Sequence, residues 1–387
     1  MTRVFDKPRD GGGTRILVLG ASAYSHAAVQ KLRVPKLNPI SSASFSALEF
    51  ARKAIACWED RFYRPLASID LLVDTPDKPD GAIFRSPDST DHTLDPPTMI
   101  NVKDARRAWM EDAGPNDVLI FYCCGHGIWL PATGRTFLTS SFGKDADNPW
   151  ADTIALDDFA FALGEYAPRQ QWLIFDCCNN TPTDVLKAMA ARADPILVSA
   201  EGQRKVMEKA GLLSQVTVAS SSPGAQSFGK DDRPSRFMEA FLEACDGSGC
   251  RRLTDGKWWV DQQGIEEAIA TYRLRVAPLE EEDYFLFPRI TQTDAADVPR
   301  LLWHDKKPPC TLVVRSLPPF RLKQAALTIK CRPTDKKVGE QKAGAEASAR
   351  YRLQVNPWLD YDLKAVFDTG EVNKETFAIP PLAETLF

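Results

Sequence analysis

Histidine is scarce in this chain: only His26, His92, His126 and His304 occur among 387 residues, so few imidazoles are available as a base or a ligand. Positive charge is not concentrated either. The 48 basic residues are outnumbered by 52 acidic ones and are spread along the chain, giving a formal net charge of −4, which argues against nucleic acid as a partner. Long apolar runs are missing. The run Ile16 to Leu19 is far shorter than the roughly 20 residues of a membrane span, and residues 1 to 13 are polar rather than built like a signal peptide. A cytoplasmic location with no membrane partner is expected. The nine cysteines are odd in number and lack the two-residue gap of a zinc knuckle. They include the adjacent pairs Cys123-Cys124 and Cys177-Cys178. Neighbours on a strand point to opposite faces, so these four thiols with His126 make a poor tetrahedral set; reduced thiols and no metal are expected. Leu19-Gly20-Ala21-Ser22 lacks the spaced glycines of a dinucleotide loop, and no internal repeat is present.

What is present is enough apolar sequence, 44% hydrophobic against 26% charged, for one large core and a smaller one. After a flexible tail at 1–13, strand-like runs at Ile16 to Leu19, Ile69 to Val73, Val118 to Cys124, Trp172 to Phe175, Val216 to Ala219 and Tyr284 to Phe287 alternate with helical stripes. One stripe is Leu48, Ala51, Ile55 and Trp58; another is Leu156, Phe159 and Leu163. Further helices are expected from Asn101, over Ser235 to Cys245 and over Ile265 to Tyr272, with Asp74 to Pro97 as a surface stretch. Alternation of this kind predicts an α/β domain over 14–298, a mostly parallel six-stranded sheet between helices. Over 299–387 the pattern changes to strand-like runs without helical stripes, predicting a small all-β domain in which Pro333 to Ala349 is a mobile loop.

Two of these strands end in chemistry. Val118 to Cys124 runs into Gly125-His126-Gly127, whose glycines permit a sharp turn and a close approach of backbone to a substrate. Trp172 to Phe175 runs into Asp176-Cys177-Cys178, and Cys178 lies 52 positions after His126. Cys123 and Cys124 lie within their strand and read as packing residues. Cys178, past the strand end and followed by Asn179, Asn180 and Thr181, reads as an accessible thiol. A base and a thiol at the ends of two parallel strands form a nucleophilic dyad if one rim receives both.

On these blocks, with the strand Arg15 to Gly20 and the run Val216 to Ser222 followed by Arg236-Phe237, the chain resembles the caspase-like cysteine peptidases, the group that includes metacaspases. The likeness covers about Thr14 to Thr293. It implies a caspase-like α/β/α sandwich, His126 as base, Cys178 as nucleophile, and the backbone amides of Gly127 and Cys178 as oxyanion donors. It also implies Asp176 in the S1 pocket, hence cleavage of protein substrates after Arg or Lys, with self-processing near Arg192, Arg204 and Lys205. A zymogen answering to an activating protein partner in a stress or antiviral cascade would follow the same pattern. Two segments depart from the family. Asn179-Asn180-Thr181 stand where His-Ser-Gly is common, and Phe45-Ser46-Ala47 where Asn-Asp-Ala is common, so the match lacks a second S1 acid and calcium dependence has no support. Two other readings stay open: a catalytically silent scaffold that binds proteins, and an Asp-specific peptidase suggested by Asp194.

Overall fold

The computed structural model describes residues 2–26, 37–111, 113–130, 133–145, 147–166, 168–178, 196, 213–221, 231–276, 289–293, 298–344 and 346–387. They form two compact units, 1–242 with 286–302, and 243–285 with 303–387.

The first unit is built on seven strands: β1 (Arg3–Asp6), β2 (Thr14–Gly20), β3 (Leu66–Val73), β4 (Val118–Gly125), β5 (Gln170–Cys177), β6 (Ser214–Ala219) and β7 (Arg289–Gln292). Their order across the sheet is β1-β3-β2-β4-β5-β6-β7. The central five are parallel, and β1 and β7 close the two edges antiparallel. The sheet therefore has seven strands rather than six. The added strand, β1, lies in the stretch assigned to a flexible tail. What orders it is a carboxylate: the Arg3 guanidinium donates twice to Asp70 on β3, at 3.0 and 3.1 Å, and Asp70 has no exposed surface. At the other edge the strand observed is β7; the expected strand Tyr284 to Phe287 lies outside the described residues.

Five α-helices occur among the described residues: α1 (Ser41–Ala56), α2 (Met99–Met110), α3 (Leu156–Leu163), α4 (Arg236–Glu243) and α5 (Gln262–Arg275). Successive side chains of a buried parallel strand serve both faces, so β4 is apolar throughout and feeds two cores. On one face Phe121 meets Phe159 of α3 at 4.9 Å and Trp109 of α2 at 6.4 Å; on the other Tyr122 meets Phe50 of α1 at 5.2 Å, and Phe50 meets Phe241 of α4. In α3 the stripe Leu156, Phe159 and Leu163 is fully buried as expected, but in α1 the buried stripe is Ala43, Ala47, Phe50, Ala51 and Ala54. Leu48 and Ile55 stand only half-buried. The small residues win because α1 lies so close to β2 that a Cβ on Gly20 would come within 2.7 Å of the Ala47 Cβ.

In the second unit, Cys310–Arg315 pairs with Tyr351–Val355 and Leu382–Leu386, and a four-stranded sheet runs Lys336–Gln341, Ala326–Cys331, Asp360–Phe367, Gly370–Phe377. Leu312, Val314, Leu327, Ile329, Leu363 and Ala365 are buried in its core. The expected mobile loop 333–349 thus contains a strand. Lys336–Gln341 needs no buried side chains because it is an edge strand, held by backbone pairing to Leu327–Cys331. The unit also takes in 243–285, upstream of the boundary expected at 298/299. Trp258 stacks on Trp358 at 4.9 Å, and Arg352 donates to the Arg273 carbonyl at the end of α5, tying this segment to the strands that follow.

Candidate active site

The register of β4 against β5 ends with Asp176 opposite Cys124 and Cys177 opposite Gly125. The next residue on each chain is Cys178 on one and His126 on the other, so the two strands bring thiol and imidazole to the same rim. Gly127 tightens the junction. A Cβ there would fall 2.5 Å from the Cys178 carbonyl oxygen, 2.8 Å from Cys177 Cβ and 2.9 Å from Cys177 Sγ, so only glycine lets the strands close to this distance. The side chains alternate. Cys177 is buried in the α2/α3 core and Cys178 is half-buried at the rim. The Cys177 carbonyl accepts the Ser221 hydroxyl at 3.0 Å and that of Ser220 at 3.4 Å, which holds this end of β5 in place.

His126 is fixed at three points. Its amide donates to Tyr24 Oη at 2.7 Å, its carbonyl accepts the Leu138 amide at 3.0 Å, and Nε2 lies 2.8 Å from the Asn38 carbonyl oxygen. A carbonyl can only accept, so Nε2 carries the hydrogen and the neutral ring presents its lone pair at Nδ1. The Tyr24 ring lies against the imidazole, centroids 4.8 Å apart. Burial lowers the His126 pKa, and the Asn38 carbonyl restores only part of that, so the ring is neutral and basic near pH 7. Tyr24 is itself buried, which pushes its phenol well above its ordinary value. A neutral phenol can accept from His126 while donating to the Leu138 carbonyl at 3.3 Å.

Asp176 sits at the end of β5, one residue before Cys177. It is 2% exposed, and its Oδ2 accepts from Tyr122 Oη at 3.4 Å, from Cys124 Sγ at 3.3 Å and from Ser235 Oγ just ahead of α4. Ser235 Oγ also accepts the Met238 amide at 2.9 Å, so the carboxylate is tied to the first turn of α4. Cys123 and Cys124 pack, as expected, and burial pushes both thiols far above the ordinary range, with Cys177 adding to the first and Asp176 to the second. No group of three His, Cys, Asp or Glu able to hold a metal ion occurs among the described residues. The same residues include no helix long and apolar enough to cross a membrane. Arg192, Arg204 and Lys205, with Asn179 to Thr181, lie outside the described residues.

Tyr24 and Asn38 have no counterpart among the motif residues, and Ser221 enters only as one member of a run. Asn38 contributes only a backbone carbonyl, which no residue type announces. Ser221, within the run Val216 to Ser222, was the only one with a sequence signal, a polar run directly after a buried strand.

No protein-family model and no curated protein matches this sequence. Among solved structures, the crystal structure of caspase-1 from Spodoptera frugiperda is similar with a TM-score of 0.40 and 8% identity, over 77% of this chain and 96% of that one.

Proposed function

We propose that this chain is a caspase-like cysteine endopeptidase in which Cys178 attacks the peptide carbonyl and His126 manages the proton. The reading rests on one observation, the β4 and β5 register that carries Cys178 and His126 past the same sheet edge with Gly127 packed on the Cys178 carbonyl. In the reaction, Nδ1 of the neutral His126 takes the thiol proton as sulfur adds to the carbonyl carbon, and returns it to the leaving amine; water then hydrolyses the thioester by the same base. The amides of Gly127 and Cys178 are the donors we assign to the tetrahedral oxyanion. Cleavage after Arg or Lys is the favoured specificity, because a carboxylate at Asp176 in a low-dielectric surrounding attracts a cationic side chain. Its burial beneath Ser235 favours a second reading, in which Asp176 is a structural acid and another part of the chain selects the substrate.

Peptides with Arg, Lys or Asp before the scissile bond, offered to wild type, Cys178→Ala and His126→Ala, test the proposal. Turnover after Arg or Lys that falls by about 10³-fold or more in both variants is the expected result. Turnover after Asp alone would overturn the specificity, and undiminished turnover in Cys178→Ala would overturn the dyad. Control by self-cleavage near Arg192, Arg204 or Lys205 is part of the same proposal. Fragments should appear in wild type and not in Cys178→Ala; intact wild-type chains under turnover conditions would remove this part.

A further inference from the structure

We propose that Asp74 is a positioning residue for His126, acting through the backbone at Ser22, which anchors the segments of Tyr24 and Asn38, two of the three hydrogen-bond partners of that residue. The inference rests on the dyad reading above and adds to it a carboxylate outside the rim. Asp74 follows β3 directly and is fully buried. Its amide donates to the Gly20 carbonyl at 3.2 Å, and its Oδ1 accepts the amides of Ser22 at 2.6 Å and Ala23 at 3.2 Å.

Two routes lead from Ser22 to the imidazole. Along the chain, Ala23 is followed by Tyr24, which holds a φ of +49°, a left-handed conformation that a bulky residue keeps only when its surroundings enforce it. Tyr24 Oη is the acceptor for the His126 amide. Through space, the Ser22 carbonyl accepts the Ile40 amide at 3.0 Å, and Ser22 Oγ accepts the Ser44 amide in the first turn of α1, also at 3.0 Å. Ile40 stands two residues beyond Asn38, whose carbonyl takes the Nε2 hydrogen. Ser22 therefore anchors the segments that orient both the backbone and the ring of the base, and Asp74 is the group that fixes the Ser22 amide.

The choice of a carboxylate is costly and therefore informative. Oδ2 has no hydrogen-bond partner, and burial pushes Asp74 up to about 6, against the pull of the Ser140 hydroxyl, itself outside hydrogen-bond geometry, and of the Ser22 and Ala23 amides. Ordinary strand ends are satisfied by backbone or water; this one keeps an expensive acid where two adjacent amides must be accepted by one atom.

The test compares Asp74→Ala with Asp74→Asn in the full chain labelled with 15N in its histidine rings. In Asp74→Ala, the His126 signals should lose the fixed Nε2–H pattern. Peptide kcat should fall on the order of 10- to 100-fold with KM changed little, as for a base displaced by less than an ångström. Asp74→Asn, whose amide oxygen accepts the same two amides, should restore both to within a few-fold. Should Asp74→Ala not fold, Tyr24→Phe, which removes the acceptor of the His126 main-chain amide, must lower kcat while the Nε2–H pattern held by Asn38 persists. His126 signals and kcat unchanged in a folded Asp74→Ala, or kcat unchanged in Tyr24→Phe, would overturn the proposal. If wild type cleaves no peptide the dyad reading fails, while the ring signals still decide whether Asp74 positions His126.

Discussion

Gly127→Ala probes the junction on which the site depends. The added methyl would sit 2.5 Å from the Cys178 carbonyl oxygen, while contacts of a real Cβ essentially never fall below 3.0 Å, so the carbonyl must recede by at least half an ångström. It cannot do so by a side-chain rotation, because the atom belongs to the backbone. Nor is the preceding residue free to follow, since the Cys177 carbonyl is held by Ser221 and Ser220 and its sulfur is packed in the core. Overpacking of this kind costs about 1–3 kcal/mol. The same shift moves Cys178, the proposed nucleophile, and the amide assigned to the oxyanion, and a displacement approaching 1 Å costs about 10²-fold in rate. The expected outcome is therefore a melting point lowered by a few degrees together with kcat/KM on an arginyl peptide lowered about a hundredfold. Gly114→Ala is the control: a Cβ there meets nothing within 4 Å, so stability and turnover should stay at wild-type levels. Gly127→Ala with wild-type turnover and melting temperature would mean that the ends of β4 and β5 do not meet as described.

Native protein treated briefly with iodoacetamide at pH 8 should be alkylated at Cys57 and Cys178, one exposed and one half-buried. Cys123, Cys124, Cys250 and Cys310, whose thiols burial raises (to about 12 at Cys250 and about 11 at Cys310), should stay unlabelled by peptide mass spectrometry; equal labelling at Cys123 would contradict the packing. Arg3→Met leaves Asp70 buried without its cation and should cost about 3 kcal/mol in urea unfolding, much of it recovered in Arg3→Met/Asp70→Leu. No loss in the single variant would detach β1 from the sheet. Asp74, raised to about 6, binds its proton more tightly folded than unfolded, so its stabilising contribution is complete below about pH 4 and is lost as pH rises through 6. Asp74→Asn should then gain about 3 kcal/mol on wild type between pH 4 and pH 8, and a gap that ignores pH would refute the burial of a charge at this position. Because burial lowers the His126 pKa, the acid limb of kcat/KM should fall below pH 6.5; a limb above pH 7 would require a different base.

The parts of the fold that the sequence foretold are those written in side-chain pattern. Strands buried on both faces read as apolar runs, so β2 to β6 were legible, and α3 showed its stripe in Leu156, Phe159 and Leu163. Of the stripe expected at α1, Ala51 and Trp58 are buried but Leu48 and Ile55 are not, because alanine and serine carry little hydrophobic signal while close approach at Gly20 selects them. An edge strand can do without an apolar period: β1 buries only Val4 and Lys336–Gln341 buries no side chain, so neither shows a strand pattern in sequence. Asp74 opened what looked like a surface stretch rich in Pro and Asp, yet it has no exposed surface. Its burial follows from the backbone amides that converge on it, and these are invisible in a string of residue types.

The same distinction explains how His126, the base of the proposed dyad, is held without an acidic side chain bonded to its ring. His126 is oriented by the Asn38 carbonyl, by the acceptance of its own amide by Tyr24 and by the Leu138 amide, so two of its three contacts use its main chain and the third is main chain of the partner residue. A carbonyl fixes the Nε2–H tautomer as a carboxylate would, but without a full negative charge to raise the imidazole pKa. Desolvation then prevails, and the resting ring is neutral, with its lone pair at Nδ1. In the proposed dyad a neutral base favours proton transfer during attack over a standing thiolate and imidazolium pair, which places the demand for precision on geometry instead of charge. That demand is met by Gly127, by the hydroxyls that hold the Cys177 carbonyl, and by the backbone at Ser22, each of them a constraint on backbone position.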